Sequence, residues 1–227
     1  MDIAHSINDH LSLSDRVSQL IENSVLNGSI RPGERINESD IAKRLGISKA
    51  PVREALKGLE GDGIVARIPR RGYFANRVDL KRINDFFDTA FIIEPVVARN
   101  ALGKKDDRAV ETLDHLLRGM KRALENGDFE GYVGLNTRFH GLFRELNDNE
   151  WIIRISQMLS KQTRILTALS LSVPQRYAAS FQEHTAIAES FRRGDARAMN
   201  QAVKKHLRNF RENIIKSYER LDTENKE

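Results

Sequence analysis

The stretch from Asn37 to Leu59, NESDIAKRLGISKAPVREALKGL, decides the architecture, because it reads as two short helices meeting at a tight turn. Asn37 carries the side-chain oxygen of a good N-cap, Ile41 and Leu45 recur at helical spacing, and Gly46 supplies a left-handed residue that ends a helix. The first helix is therefore predicted from Glu38 to Leu45. Ser48 is placed to cap the second helix and Pro51 falls in its tolerant first turn. Val52, Ala55, Leu56 and Leu59 form the apolar stripe of that helix, which is predicted to run to about Glu60. Such a pair is a helix-turn-helix. Its second helix presents Ser48, Lys49, Ala50 and Arg53 at the N-terminal end. Backbone N–H groups, the positive end of the helix dipole and two cations there suit a phosphate-lined major groove.

The flanks support this reading. Downstream, Gly63 to Ala75, GIVARIPRRGYFA, reads as two short strands joined by a turn from Pro69 to Gly72, with Arg67, Arg70 and Arg71 and no acid between them. That is the pattern of a wing. Upstream, Ser14 is placed to cap a helix carrying Val17, Leu20, Ile21, Val25 and Leu26 at helical spacing and ending at Asn27 and Gly28; IRPGERI then forms a loop and a short strand. The first twelve residues, with His5 and His10, read as a polar tail to which no role is assigned.

After Asp79 the character of the chain changes. Clusters of Gly, Asn, Asp and Pro delimit helices at about residues 79–102, 106–126, 128–146, 149–171, 174–193 and 195–221. Short loops between long amphipathic helices imply antiparallel neighbours. The expected fold is mostly α. Residues 1–78 form a winged helix-turn-helix domain and residues 79–227 an all-helical domain, an antiparallel bundle of about six helices.

Composition narrows the function classes. The 227 residues, 40% of them hydrophobic, suffice for two cores. A net charge of +5 is modest, so affinity for DNA has to come from cations clustered in the reading helix and wing. The absence of cysteine excludes disulfides, thiolate metal sites and thiol nucleophiles. No apolar run approaches the length of a membrane span, and the N-terminus lacks the pattern of a signal peptide, so a cytoplasmic protein without membrane association is expected.

From Gly28 to Ala75 the sequence closely resembles the N-terminal domain of GntR-type bacterial transcription regulators. The resemblance implies that Ser48, Lys49, Ala50, Arg53, Arg70, Arg71 and Gly72 meet DNA. A departure is SKAPVR where the family more often has SRTPVR: Lys49 replaces a planar guanidinium and Ala50 a hydroxyl, which alters the preferred bases. The second half resembles the helical effector-binding and dimerisation domain of the FadR subgroup, through IIEPVVARNAL, NTRFHGLF, EHTAIAESFRRGDARA and KKHL. Six helices are similar to the VanR-like branch.

Asn136 and His140 lie one turn apart on one helix, with His184 and His206 on two others. The resemblance implies that these four residues hold one divalent metal ion as a cofactor. Asn136 stands where the family most often has aspartate, which removes a charge from the shell; zinc or nickel suits the three imidazoles best. Arg164 falls where the family directs a basic residue towards the effector, with Arg138 and Arg176 as further candidates. Ala90 replaces an arginine that many relatives use to hold an effector carboxylate, which argues against a simple dicarboxylate. His115 reads as a surface residue.

The function implied is a transcription regulator, a repressor rather than an enzyme. It would bind a palindromic double-stranded DNA operator as a homodimer and answer to a small-molecule effector, an organic acid. Two rivals stay open at this point. One is a metal-dependent enzyme built on the three histidines, with Glu183 beside His184 as its available carboxylate; the other is a purely structural metal.

Overall fold

The structure, a computed structural model, describes residues 12–26, 29–76, 79–170 and 175–224; the side chains of residues 26, 164, 165, 168–170, 175 and 221–224 lie outside the description. The chain divides into two compact units, Met1–Val78 and Asp79–Glu227.

The first unit contains α1 (Leu13–Leu26), β1 (Arg35–Ile36), α2 (Glu38–Leu45), α3 (Lys49–Gly61), β2 (Val65–Ile68) and β3 (Gly72–Ala75). α1 opens on Ser12, not Ser14. The Ser12 hydroxyl accepts the Asp15 N–H at 3.1 Å while the Asp15 carboxylate accepts the Ser12 N–H at 3.1 Å. This reciprocal pair satisfies two donors that a lone cap at Ser14 would leave unmet. α2 begins where Asn37 accepts the Ser39 N–H and ends at Gly46, whose φ of 65° only glycine adopts cheaply. Ala42 is the buried residue of α2; Ile41 is half-buried and Leu45 is 41% exposed, so the inward stripe of this short helix is narrower than its spacing suggests.

α1 and α2 both pack on α3, which buries Val52, Ala55, Leu56 and Leu59 against Val17 and Ile21. The strands form an antiparallel sheet in the order β1-β3-β2, with Arg67 opposite Tyr73 and Ile68 opposite Gly72. Their apolar positions, Ile36, Val65, Tyr73 and Ala75, face the same core.

Six helices are described in the second unit: α4 (Leu80–Leu102), α5 (Asp107–Glu125), α6 (Phe129–Glu145), α7 (Glu150–Ser170), α8 (Gln175–Arg193) and α9 (Ala196–Glu224). α9 runs past the expected end near Leu221. Asp79, Asp106 and Asp128 cap α4, α5 and α6, each accepting a backbone N–H three residues on; Asn149 and Asp195 do the same for α7 and α9. Phe87, Leu113, Met120, Phe139, Ile187, Phe191, Met199 and Ile214 are almost wholly buried. The strongest packing pairs are α4 with α9, α5 with α6 and α8 with α9. α6, α8 and α9 thus each turn one face inward, and the chemistry of this unit lies there.

Candidate functional sites

The first site is the exposed end of α3. Because Val52, Ala55 and Leu56 anchor the inner face, Ser48, Lys49, Ala50 and Arg53 are left on the outside. Ser48 takes the N-cap position, yet its side chain makes no capping hydrogen bond and stays exposed. Arg53 is tied to α2: its Nε donates to a Glu38 carboxylate oxygen at 3.1 Å, with the Arg53 side chain 66% exposed. That bond uses the inner nitrogen of the fork and leaves both terminal nitrogens without a hydrogen bond among the described residues.

Between β2 and β3, the Arg71 N–H donates to the Ile68 carbonyl at 3.0 Å, closing a turn with Pro69 at its second position and Arg70 at its third. Proline presets the second position of a type II turn, whereas the third needs positive φ and is normally glycine. Here Arg70 takes it, at φ 63°. The turn presents Arg70 and Arg71 to solvent, followed by Gly72 at φ 99°. The Arg71 guanidinium lies 5.6 Å from the Phe74 ring centre and that of Arg67 lies 5.9 Å from the Tyr73 ring, so aromatics on β3 hold two of the wing cations.

The second site is inside the helical unit. His140 of α6, His184 of α8 and His206 of α9 bring one ring nitrogen each within 4.8 Å of one another. His140 Nε2 and His184 Nε2 are 3.0 Å apart. His184 Nδ1 donates to the Ser180 carbonyl at 2.6 Å, which leaves its Nε2 as an acceptor facing His140. His206 Nδ1 lies 2.7 Å from Glu183 Oε2, which turns its Nε2 away from that carboxylate. A ring nitrogen fixed by a carbonyl or carboxylate is how proteins orient an imidazole for a metal.

Burial first, then the mutual repulsion of the rings, pushes His140 well below the ordinary histidine value and His184 down to about 3. Both are therefore neutral near pH 7, the form that binds metal. Asn136 lies one turn before His140 on α6; its Oδ1 is buried and, among the described residues, accepts no hydrogen bond. An orphaned oxygen one turn from His140, with three clustered imidazoles of which two are held by a carbonyl or carboxylate, fits a divalent cation.

Glu183 turns towards His206 rather than towards the neighbouring ring in sequence. Arg176 grips both its oxygens, at 2.8 and 3.2 Å, and Asn209 Nδ2 donates to Oε1 at 2.8 Å. Burial opposes the charge, but the bonds from His206, Arg176 and Asn209 outweigh it and hold Glu183 down to about 2. A carboxylate so engaged is a poor general base, and an Arg176 so engaged is not free for a ligand.

His140 and His206 border a cavity of about 130 Å³, lined also by Phe86, Glu94, Tyr132 and Arg144. Arg138 and His115 are exposed on the surface, whereas the Arg164 side chain, like His5 and His10, lies outside the described residues. Sequence spacing did not single out Glu94, Tyr132 or Arg144. The i, i+4 series of Tyr132, Asn136, His140 and Arg144 along α6 was the available signal.

Residues 13–74 match the bacterial regulatory proteins of the gntR family, and residues 85–209, more than half of the chain, match the FCD domain. The protein belongs to the GntR family. This GntR protein is 32% identical over 192 residues to an HTH-type transcriptional regulator of Streptomyces ambofaciens, covering 81% of this chain and 77% of that one. It is 22% identical over 217 residues to the HTH-type transcriptional repressor RspR of Escherichia coli, covering 94% of each. Its fold matches that of E. coli McbR/YncC with a TM-score of 0.76 at 18% identity, covering 93% of this chain and 100% of that one. The metal-free FCD domain of TM0439 matches with a TM-score of 0.54 at 23% identity, over 63% of this chain and 98% of that one.

The GntR protein is a DNA-binding transcription regulator with an FCD domain of the FadR-like subgroup; its family and relatives are regulators, not enzymes. FCD domains are metal-binding effector domains, and this one holds a three-histidine group. No described helix is long and apolar enough to cross a membrane.

Proposed function

We propose that this GntR-family regulator is a homodimeric cytoplasmic repressor that releases a palindromic operator when a small organic acid enters the cavity of its helical domain. The observation that carries the reading is the convergence of three imidazoles, with His140 and His184 neutral, and an orphaned amide oxygen one turn from His140. Asn136, His140, His184 and His206 would hold one divalent ion, zinc or nickel. Such an ion supplies a positive charge and open coordination positions for an oxygen of the effector. Ser180 and Glu183 fix two of the rings, and Arg164 is the further residue assigned to the effector. Six described helices support a place in the VanR-like branch.

On the DNA side, Ser48, Lys49, Ala50 and Arg53 meet base edges and nearby phosphates, while Arg70, Arg71 and the backbone at Gly72 hold the duplex from the wing. One such helix reads only a few base pairs, so a second, symmetry-related copy is needed and the site is palindromic. Control is linkage: an effector that fits one relative placement of the two reading units shifts the equilibrium by its differential affinity, about 1–3 kcal/mol.

Selection of binding sites from random DNA, followed by gel shifts on whole and half sites, tests this. A palindrome bound cooperatively by two chains is expected, with loss of binding when one half is scrambled. Equal affinity for a lone half-site would contradict the dimer.

A further inference from the structure

Four side chains along one stripe of α6 line the cavity: Tyr132, Asn136, His140 and Arg144. Each is one turn from the next, so Arg144 follows His140 by about 6 Å along the axis. The proposed ion accounts for Asn136 and His140. Arg144 has no such use.

Its guanidinium is half-buried and, among the described residues, makes no hydrogen bond or ion pair. The side chain folds back along α6, its terminal nitrogen 3.5 Å from where a Cβ on Gly141 would sit, which keeps it beside the His140 turn. Two acids act on it electrostatically, the exposed Glu145 next in sequence and, more strongly, Glu94. That carboxyl is committed elsewhere, with Oε1 accepting the Ser156 hydroxyl at 2.9 Å, and it forms no ion pair with Arg144. The other described cation of the cavity, Arg176, is bound twice to Glu183, and position 90, which could have carried a cation, holds a buried alanine. A half-buried guanidinium with no anion bonded to it is costly, and a planar fork of donors matches a carboxylate. Phe86, Phe143 and Leu159, which line the same cavity, are apolar.

We propose that Arg144 is the anion-binding residue of this cavity and that its ligand is a small carboxylate with an apolar body. The inference rests on reading the cavity as the effector site. Tyr132, whose buried hydroxyl lies near Ser180 and two turns on the other side of His140, then offers the far end of the ligand a hydrogen bond.

The test is calorimetric titration of the zinc-loaded full-length protein with butyrate and benzoate, with butyramide and benzamide as uncharged controls. The acids should bind and the amides should bind far more weakly. Arg144→Gln should lower affinity for the acids roughly 10- to 100-fold, the worth of a charged hydrogen bond, while leaving zinc content and the ligand-free melting temperature unchanged. Arg144→Lys should keep part of the affinity. Equal binding of acid and amide, or unchanged affinity in Arg144→Gln, would overturn the assignment; so would failure of both acids to bind the wild-type protein. Acids that bind through Arg144 but leave operator binding unchanged would uphold the assignment and sink the regulatory reading instead.

Discussion

The two functional regions hold their side chains in opposite ways. On the winged unit the groups proposed to meet DNA are exposed, and the backbone aims them through the Asn37 cap, the Gly46 turn and the left-handed Arg70. In the helical unit the polar groups are buried, and mostly bonds to other side chains aim them: the Ser180 carbonyl and the Glu183 carboxylate hold rings, and Arg176 and Asn209 hold Glu183. An exposed cation keeps its water until DNA replaces it, so turn geometry suffices. A buried imidazole or carboxylate has lost its water, so each needs a partner at every site it offers.

The contrast predicts different penalties for damage. Glu183→Ala leaves the Arg176 guanidinium, at 11% exposure, buried without its anion, and should destabilise the protein by about 3–5 kcal/mol in urea unfolding. A loss near that of a surface pair would mean that the interior network is looser than its distances suggest. Arg53→Ala should leave stability and helical content nearly unchanged but weaken operator binding by roughly 1–3 kcal/mol, read by gel shift. Unchanged affinity would remove Arg53 from the reading surface.

Arg70→Gly separates backbone strain from charge at the wing. Relief of the positive φ should raise stability by up to about 1 kcal/mol in thermal melts. Loss of the cation should lower the salt slope of DNA binding by about one. If stability fell instead, the turn would not be storing strain.

The smallest effect concerns Glu94, whose burial raises its carboxyl above the ordinary 4.5, opposed by the Ser156 bond and the Arg144 charge. A raised carboxyl contributes stability that is fully present below about pH 4.5 and is lost as pH rises through the elevated folded value. Glu94→Gln should remove that decline, so the difference between the stability curves of wild type and variant should change across this window. A constant offset would mean that Glu94 ionises alike in both states.

Legibility in the sequence follows the same divide. The bounds of α2 and α3, the wing turn and the six helices of the second unit were readable because caps, glycines and apolar spacing are local. The Ser12–Asp15 capping box is equally local, two residues upstream of Ser14. The bond from Arg53 to Glu38 joins two helices across 15 residues, and Glu183 bonds His206 across 23, so no spacing rule reveals either. Family positions pointed to the histidines. Arg144 and Glu94 needed the cavity itself, because half-burial without a partner is a property of the packed bundle.

The most direct test of the account is the metal content of full-length protein purified without chelator, measured by elemental analysis beside His184→Ala. About one zinc or nickel per chain is predicted for the wild type, with most of it lost in the variant and a lower melting temperature after chelation. A wild type that carries no metal, takes up none on titration with zinc or nickel, and melts unchanged with chelator would contradict it.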